Sequence, residues 1–84
     1  MPDRTSEQIL TTAFGDAVRK LRRERGWSQE DFADRVGVHR TYMGGVERGE
    51  RNVSLVNIGR ISESLGLPLA SLMAEVDRAL AARS

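Results

Sequence analysis

The stretch WSQEDFADRVGVHRTYMGGVERGERNVSLVNI, residues 27–58, decides the fold that this sequence predicts. Ser28 is a favourable N-cap residue, and a polar first turn and a short apolar face follow it at helical spacing. Gly37 ends this helix, and a second short helix is predicted from about Arg40 to Arg48. Two short helices joined by so tight a turn indicate a helical hairpin. A helix-turn-helix, whose second helix enters the major groove of DNA, is one form of such a hairpin.

Three further helices complete a predicted all-α fold. One precedes the hairpin, over about Thr5–Arg25, and two follow it, the first capped by Ser54 and the second beginning near Pro68. The apolar face of the helix after Ser54 consists of Leu55, Ile58, Ile61 and Leu65. There is no convincing strand, and no linker divides the chain. We therefore predict one compact five-helix domain over residues 1–84, with the helix-turn-helix at about 28–48.

Charge and cysteine content narrow the function. The 84 residues carry a net charge of +1, but residues 12–26 carry +3 and residues 48–60 carry +2. A weak total therefore hides two basic stretches, and DNA binding needs a basic face rather than a basic average. Cysteine is absent and there is one histidine, which excludes disulfides and cysteine-ligated zinc.

The sequence gives no sign of catalysis or of a membrane segment. No nucleophile–base pair, metal cluster or phosphate-binding loop is recognisable, so we predict that the protein is not an enzyme and expect no cofactor and no small-molecule ligand. No apolar run approaches the ~20 residues that a membrane span needs, and the polar N-terminus has no signal-peptide core. We expect a cytoplasmic protein of a prokaryote that associates with the nucleoid when it binds DNA.

A specific combination of short motifs carries a resemblance to a known family. The motifs are SQE at 28–30, GV at 37–38, VERG at 46–49 and RN-x-S at 51–54. With them the chain resembles the Cro/repressor-type helix-turn-helix proteins, often called the Xre family, over about residues 12–75. Within that family, RTYMGGVERGERNVSLVNI (40–58) is similar to the controller proteins of restriction–modification systems.

This resemblance implies a fold and a function. The fold is that of the phage repressors, with a core at about residues 12–75. The function is sequence-specific DNA binding by a transcriptional regulator. A controller protein would bind its own promoter as a dimer, activate at low occupancy and repress at high occupancy. That behaviour would delay the endonuclease until methylation is established.

The first turn of the second hairpin helix is expected to read bases. Arg40, Thr41 and Gly44 would face the groove. Arginine can bind O6 and N7 of guanine with two hydrogen bonds, whereas the alternative is that Arg40 binds only a phosphate. Gly44 has no side chain to read with, but it would allow close approach.

A second set of residues is expected to contact phosphates and to position that helix. These residues are Gln29, Arg35, His39, Tyr42, Arg48, Arg51 and Asn52. Any one of Arg35, Arg48, Arg51 and Asn52 alone could be merely solvated, and the other three have alternative interpretations of their own. Gln29 could be a solvated first-turn residue, His39 a weak helix cap, and Tyr42 a ring packed against the domain.

Acidic residues have two other predicted roles. In the resembling repressors, an acid at the position of Glu47 pairs with an arginine at the position of Arg22, and such a pair would orient the recognition helix. The first hairpin helix has an acidic face of three residues, Glu30, Asp31 and Asp34. This face would either contact RNA polymerase or compensate the dipole at the start of its helix.

The last two helices are the predicted dimerisation region. The candidate interface residues lie on the fifth helix and are Leu72, Met73, Val76 and Leu80. A homodimer would present two recognition helices about 34 Å apart, one turn of DNA. Its partner would then be a roughly palindromic operator in double-stranded DNA.

Two other functions remain open at this point. A phage-type or stand-alone repressor of the same family would differ from a controller only in its operators and its neighbouring genes. An antitoxin, or another protein-interaction module, belongs to a different class. The chain shows no long tail that would wrap a toxin, which counts against that class.

Overall fold

Five helices make up the part of the chain that the structure describes. The computed structural model describes residues 4–83, with side chains from residue 6 onward. The helices are α1 (Arg4–Glu24), α2 (Gln29–Val36), α3 (Arg40–Glu47), α4 (Leu55–Ser64) and α5 (Leu69–Ala82). No strand occurs among these residues, and the predicted all-α five-helix fold is confirmed. Within the same range, no helix is long and apolar enough to cross a lipid bilayer.

Local capping fixes the turn between α2 and α3. Ser28 Oγ accepts a hydrogen bond from the Asp31 N–H at 3.0 Å, and the Asp31 carboxylate accepts one from the Ser28 N–H at 3.4 Å. This reciprocal pair is a capping box at the start of α2. Gly37 ends α2 in the left-handed conformation, with a φ of 87°. The Nδ1 atom of His39 then accepts the Thr41 N–H at 3.0 Å and caps α3.

A single apolar core lies between the helices. Each helix contributes a fully buried side chain to it: Val18, Phe32, Met43, Ile61 and Leu72, in the order α1 to α5. Full burial of an apolar side chain of this size contributes about 1.5–3 kcal/mol relative to exposure. The position of α3 is therefore fixed by packing against the rest of the domain as well as by its caps.

The structure corrects the predicted division of α5 between core and surface. Leu72 is completely buried and Val76 is only 2% exposed, so their assignment to a dimer interface is wrong. Leu80 is half-buried and packs against the same core. Because α1 and α4 both pack on α5, they cover most of its apolar stripe. Of the four predicted interface residues, Met73 is the most exposed, at 37%.

Exposed apolar surface also lies at the start of α4. Leu55, predicted on the core face of this helix, is 74% exposed, and the neighbouring Val56 is 65% exposed. The core face of α4 is formed further along, by Ile61 and Leu65, which are both buried. The first turn of α4 therefore extends past the core, and the sequence prediction for Leu55 is wrong.

Two helices meet backbone to backbone at Gly15 of α1. A Cβ atom on Gly15 would lie 2.5 Å from the carbonyl oxygen of Val46 and 2.7 Å from that of Glu47. These neighbours are main-chain atoms and cannot rotate aside, so any side chain at residue 15 would push the helices apart. Glycine at this position lets α1 cross the C-terminal end of α3 in direct contact. The sequence analysis did not single out Gly15.

Ion pairs connect α5 to α1 on the surface. Lys20 Nζ lies 3.0 Å from Glu75 Oε2, and Arg83 Nε donates to Asp16 Oδ2 at 3.0 Å. The hydrogen bond from Lys20 lowers the pKa of Glu75, and the same contact raises the pKa of Lys20. These pairs are solvent-exposed, so they fix the register of two packed helices more than they add stability.

Candidate nucleic-acid interface

The second helix of the hairpin, α3, has one buried side and one exposed side. Its central and final residues, from Met43 to Glu47, are buried. Arg40 and Thr41 in its first turn are exposed, as is Arg48 at its C-cap. The part of α3 that is free to meet another molecule is therefore its first turn and the side chains around it.

A buried ion pair holds the other end of α3 to the scaffold. The Glu47 side chain is completely buried. Its Oε2 accepts a hydrogen bond from Arg22 Nε at 2.7 Å, and its Oε1 accepts one from Arg22 Nη2 at 2.9 Å. Gln29 Nε2 donates to the same Oε1 at 3.1 Å. Arg22 Nη1 donates to the Trp27 carbonyl at 2.8 Å, and Arg19 Nη2 donates to the Glu47 carbonyl at 2.8 Å. The network therefore joins α1, α2 and α3.

Hydrogen bonding and electrostatics both favour the charged form of Arg22. Hydrogen bonding to Glu47 raises the pKa of Arg22 above its ordinary value, although burial opposes the rise. Every buried side-chain nitrogen and oxygen of the described residues has a hydrogen-bond partner. Removing the charge of Glu47 would leave the Arg22 charge buried without a counter-ion, which is costly.

Arg40 extends from the first turn of α3 toward α2. Its Nη1 atom lies 3.4 Å from Glu30 Oε2, and both side chains are about two-thirds exposed. One of the acids predicted to contact RNA polymerase thus pairs with the predicted base-reading arginine. An exposed pair of this kind is weak, so Arg40 can exchange Glu30 for another acceptor. Asp31 takes part in the α2 capping box, and Asp34 is exposed on the same helix.

The structure places His39 at the start of α3 as a helix cap. Its Nδ1 is engaged by the Thr41 N–H, so only Nε2 is directed toward other partners. The interpretation of His39 as a helix cap is therefore confirmed, and Nδ1 is the ring atom that makes the cap. Thr41 itself is exposed.

Tyr42 bridges α3 to α4 and to the loop between them. Its ring is half-buried and packs against the core, and the guanidinium of Arg51 lies 5.5 Å from the ring centroid. Its hydroxyl accepts a hydrogen bond from Asn57 Nδ2 at 3.2 Å. Both sequence interpretations of Tyr42 are compatible with this position, because the ring packs against the core while the residue as a whole is only half-buried.

Gly44 does not lie open on this surface. It is buried, and a Cβ atom on it would meet Arg48 Nη1 at 3.0 Å and Gln29 Oε1 at 3.4 Å. Arg48 and Gln29, both predicted to contact phosphates, therefore cover Gly44, which was predicted to face the groove. The place of Gly44 in the groove stays a prediction.

Arg48, Arg51 and Asn52 form a polar rim beside α3. Arg48 makes two hydrogen bonds to the Glu50 carboxylate, at 2.9 and 3.2 Å, which raise the pKa of Arg48 and lower the pKa of Glu50. Asn52 is exposed in the loop that follows. Gln29 joins this rim from α2, where it is half-buried rather than simply solvated.

Arg35 lies on a different part of the molecule. Its guanidinium stacks 4.2 Å from the Trp27 ring centroid, and its carbonyl accepts the Ser64 hydroxyl of α4. Successive helical residues turn by about 100°, so Arg35 is about 140° around α2 from Glu30, which faces α3. The structure therefore does not bring Arg35 together with the other predicted phosphate contacts.

Sequence reasoning missed three residues that shape this surface. Arg19 donates to the end of α3, Gly15 lets α1 approach it, and Asn57 holds the Tyr42 hydroxyl. Arg19 is part of a basic run whose members look alike in the sequence. Asn57 lies three residues after the α4 cap Ser54, where its role is visible only once α4 packs beside α3.

Comparison with known proteins places this arrangement in a family. The model of the helix-turn-helix family matches residues 18–72. The chain belongs to this family. Control protein C.MunI from Mycoplasma sp is 44% identical over 66 residues, covering 77% of this chain and 89% of that protein. This helix-turn-helix protein therefore also groups with the control proteins, and the resemblance found in residues 40–58 is confirmed.

Two solved structures share its fold. The restriction-modification controller protein C.AhdI from Aeromonas hydrophila gives a TM-score of 0.72 and 47% identity, over 74% of this chain and 94% of that one. The tetramer of the restriction-modification controller protein C.Esp1396I was solved with its natural 35-base-pair operator. It gives a TM-score of 0.78 and 27% identity, over 84% of this chain and 93% of that one.

Within residues 4–83 of the present protein, no group of three or more metal-binding side chains occurs.

Proposed function

We propose that this protein is a DNA-binding transcriptional regulator that acts as a restriction–modification controller. It binds a roughly palindromic operator at its own promoter as a homodimer, in the cytoplasm where that DNA lies. The observation that carries the proposal is the first turn of α3. It is exposed at Arg40 and Thr41, while the opposite end of the helix is anchored to α1 through the buried Arg22–Glu47 pair.

Arg40 and Thr41 are the proposed base-reading residues. The guanidinium of Arg40 is two-thirds exposed and needs to release only the weak contact with Glu30 to reach a base edge. Guanine offers two acceptors in the geometry of the guanidinium, which replaces one long contact by two good hydrogen bonds. The Thr41 side chain offers a hydroxyl for a base edge and a methyl group for thymine.

A rim of polar side chains would hold the phosphates. Its members are Gln29, His39, Tyr42, Arg48, Arg51 and Asn52. Arg51 and Arg48 supply positive charge, and the charge of Arg48 is offset by Glu50 until a phosphate takes its place. The Nε2 atom of His39 and the Tyr42 hydroxyl add donors on either side of the first turn. We leave Arg35 out of this rim because it stacks on Trp27.

A second copy of the chain is the proposed protein partner. The surface we assign to it is formed by exposed apolar residues of α4 and α5: Leu55, Val56, Leu69 and Met73. Monomeric proteins rarely leave large apolar patches open, and patches of this kind mark interaction sites. The C.Esp1396I complex, a tetramer on one operator, supports assembly on DNA for the present protein as well.

A contact with RNA polymerase remains a proposal for α2. Glu30 and Asp31 already have roles within the domain, as the partner of Arg40 and in the capping box. Asp34, which is exposed, is the acid that would be most available for such a contact. Activation of transcription at low occupancy would require a contact of this kind with RNA polymerase.

The test is footprinting of the purified full chain on the DNA upstream of its own gene. We expect protection of one or two short, roughly palindromic segments at protein concentrations well below those that coat unrelated DNA. A linked reporter should first rise and then fall as the protein is titrated in. Protection without the rise would indicate a stand-alone repressor, and no preferred segment would contradict the proposal.

A further inference from the structure

The hydrogen bond between Asn57 and Tyr42 has a direction. The amide nitrogen Nδ2 of Asn57 lies 3.2 Å from the Tyr42 hydroxyl oxygen, so the amide donates and the hydroxyl accepts. A tyrosine hydroxyl carries one hydrogen, and its oxygen can accept as well as donate. Because Asn57 fills an acceptor position, the O–H hydrogen is directed away from Asn57, toward another acceptor.

The position of this hydroxyl suits a phosphate. Tyr42 lies on α3, next to the exposed Thr41, and Arg51 stacks beside its ring at 5.5 Å from the centroid. A cation and an O–H donor thus occur on the same tyrosine ring, one over its face and one at its edge. The oxygens of a DNA phosphate are acceptors, so they can take a hydrogen bond from a hydroxyl only when its hydrogen points at them.

Asn57 is itself fixed in place. Its backbone N–H donates at 3.1 Å to Ser54 Oγ, the N-cap of α4, so its main chain lies in the capped first turn of that helix. Its side chain is half-buried between α4 and Tyr42. The Asn57 side chain therefore extends from a capped turn of α4 and donates to the Tyr42 hydroxyl.

We infer that Asn57 is a positioning residue for DNA binding. By donating to the Tyr42 oxygen, it keeps the hydroxyl oriented as a donor toward a phosphate of the operator backbone. This inference rests on the proposed function, because it assumes that the α3 surface binds DNA. It adds a residue on α4 that acts through Tyr42.

A double-mutant cycle on operator affinity tests the inference. The variants are Asn57→Ala, Tyr42→Phe and the double variant, measured by fluorescence anisotropy on the segment that wild type protects. We expect each single change to weaken binding by about threefold to tenfold, the effect of losing one hydrogen bond. The double variant should bind no more weakly than Tyr42→Phe alone, since Asn57 acts through the hydroxyl that Tyr42→Phe removes.

Asn52→Ala provides the matched control for the cycle. It removes an exposed amide that we place directly on the phosphate rim, and it should add fully to Tyr42→Phe. Thermal unfolding of every variant without DNA separates binding from folding, and we expect the Asn57→Ala midpoint to fall by at most about 4–8 °C, the effect of losing one hydrogen bond.

Two results would overturn the inference. If the losses from Asn57→Ala and Tyr42→Phe add fully, Asn57 acts independently of the hydroxyl. If Asn57→Ala binds as wild type does, the amide orients nothing that matters. A wild-type protein with no preferred DNA segment would instead refute the proposed function, so the two failures are distinguishable.

Discussion

Glu47 at the end of the recognition helix and Arg22 on the first helix form a buried ion pair with two hydrogen bonds, of 2.7 and 2.9 Å. The Glu47 side chain has no exposed surface and that of Arg22 is 10% exposed. α3 is only eight residues long, too short to be stable alone. Its orientation therefore depends on this link together with the packing of Met43 and Val46 in the core.

Neutralising Glu47 should unfold or loosen the domain. Glu47→Gln preserves the shape of the side chain but leaves the Arg22 charge buried without a counter-ion, and we expect a loss of about 3–5 kcal/mol in the free energy of unfolding. Urea denaturation followed by circular dichroism measures it. Glu50→Gln is the matched control, since it removes the acid of an exposed ion pair with Arg48 and should have little effect on stability. Equal effects of the two changes would contradict a structural role for Glu47.

Alanine at Gly15 should be strongly destabilising. Its Cβ would lie 2.5 Å from the Val46 carbonyl oxygen, and α1 would have to move away from α3. We expect a loss of about 2–3 kcal/mol or more in the free energy of unfolding, the usual cost of overpacking between elements that cannot yield. Weaker DNA binding should accompany it.

Gly59 offers the opposite outcome for the same substitution. It lies within α4, and a Cβ on it would have no neighbouring atom within 4 Å. Gly59→Ala should therefore stabilise the protein by up to about 1 kcal/mol, through helix propensity alone. Thermal melts of both variants make the comparison. If Gly15→Ala lowered the melting temperature no more than Gly59→Ala does, α1 and α3 would not cross as closely at Gly15 as the structure shows.

A charge on the exposed apolar surface of α4 and α5 should prevent dimerisation. Val56→Glu and Met73→Glu should each weaken the dimer on the order of tenfold or more, because the charge would be desolvated on association. Sedimentation velocity over a range of concentrations measures this. Ile9→Glu is the control, since Ile9 is 40% exposed on α1, close to the 37% of Met73, but lies outside the proposed interface. A wild-type profile for both interface variants would refute the assignment.

Adjacent residues show how far the sequence predicts this structure. The hairpin was predictable because Ser28 and Gly37 encode their own caps within a few residues. Leu72 and Met73 could not be separated, because periodicity gives the apolar stripe of α5 but not which edge of it α1 and α4 cover. Leu55 failed for the same reason at the start of α4.

The candidate site divides in a similar way. The Arg22–Glu47 pair followed from the family resemblance, which carries information on partners distant in sequence. Gly15 and Asn57 act only through contacts between helices, and nothing in their own neighbourhood in the chain predicts those contacts. The burial of Gly44 under Arg48 likewise depends on where a long side chain settles in three dimensions.

Arg40 and Arg51 have different proposed roles at the DNA surface: Arg40 reads a base and Arg51 binds the backbone. The measurement is the affinity of wild type, Arg40→Ala and Arg51→Ala for a panel of operators with every single base-pair change, repeated at several salt concentrations. Arg40→Ala should lose about 1–3 kcal/mol of discrimination at one position in each half-site. Arg51→Ala should weaken all operators alike and lower the salt slope by about 1. An Arg40→Ala protein that ranks the operators as wild type does would contradict the account.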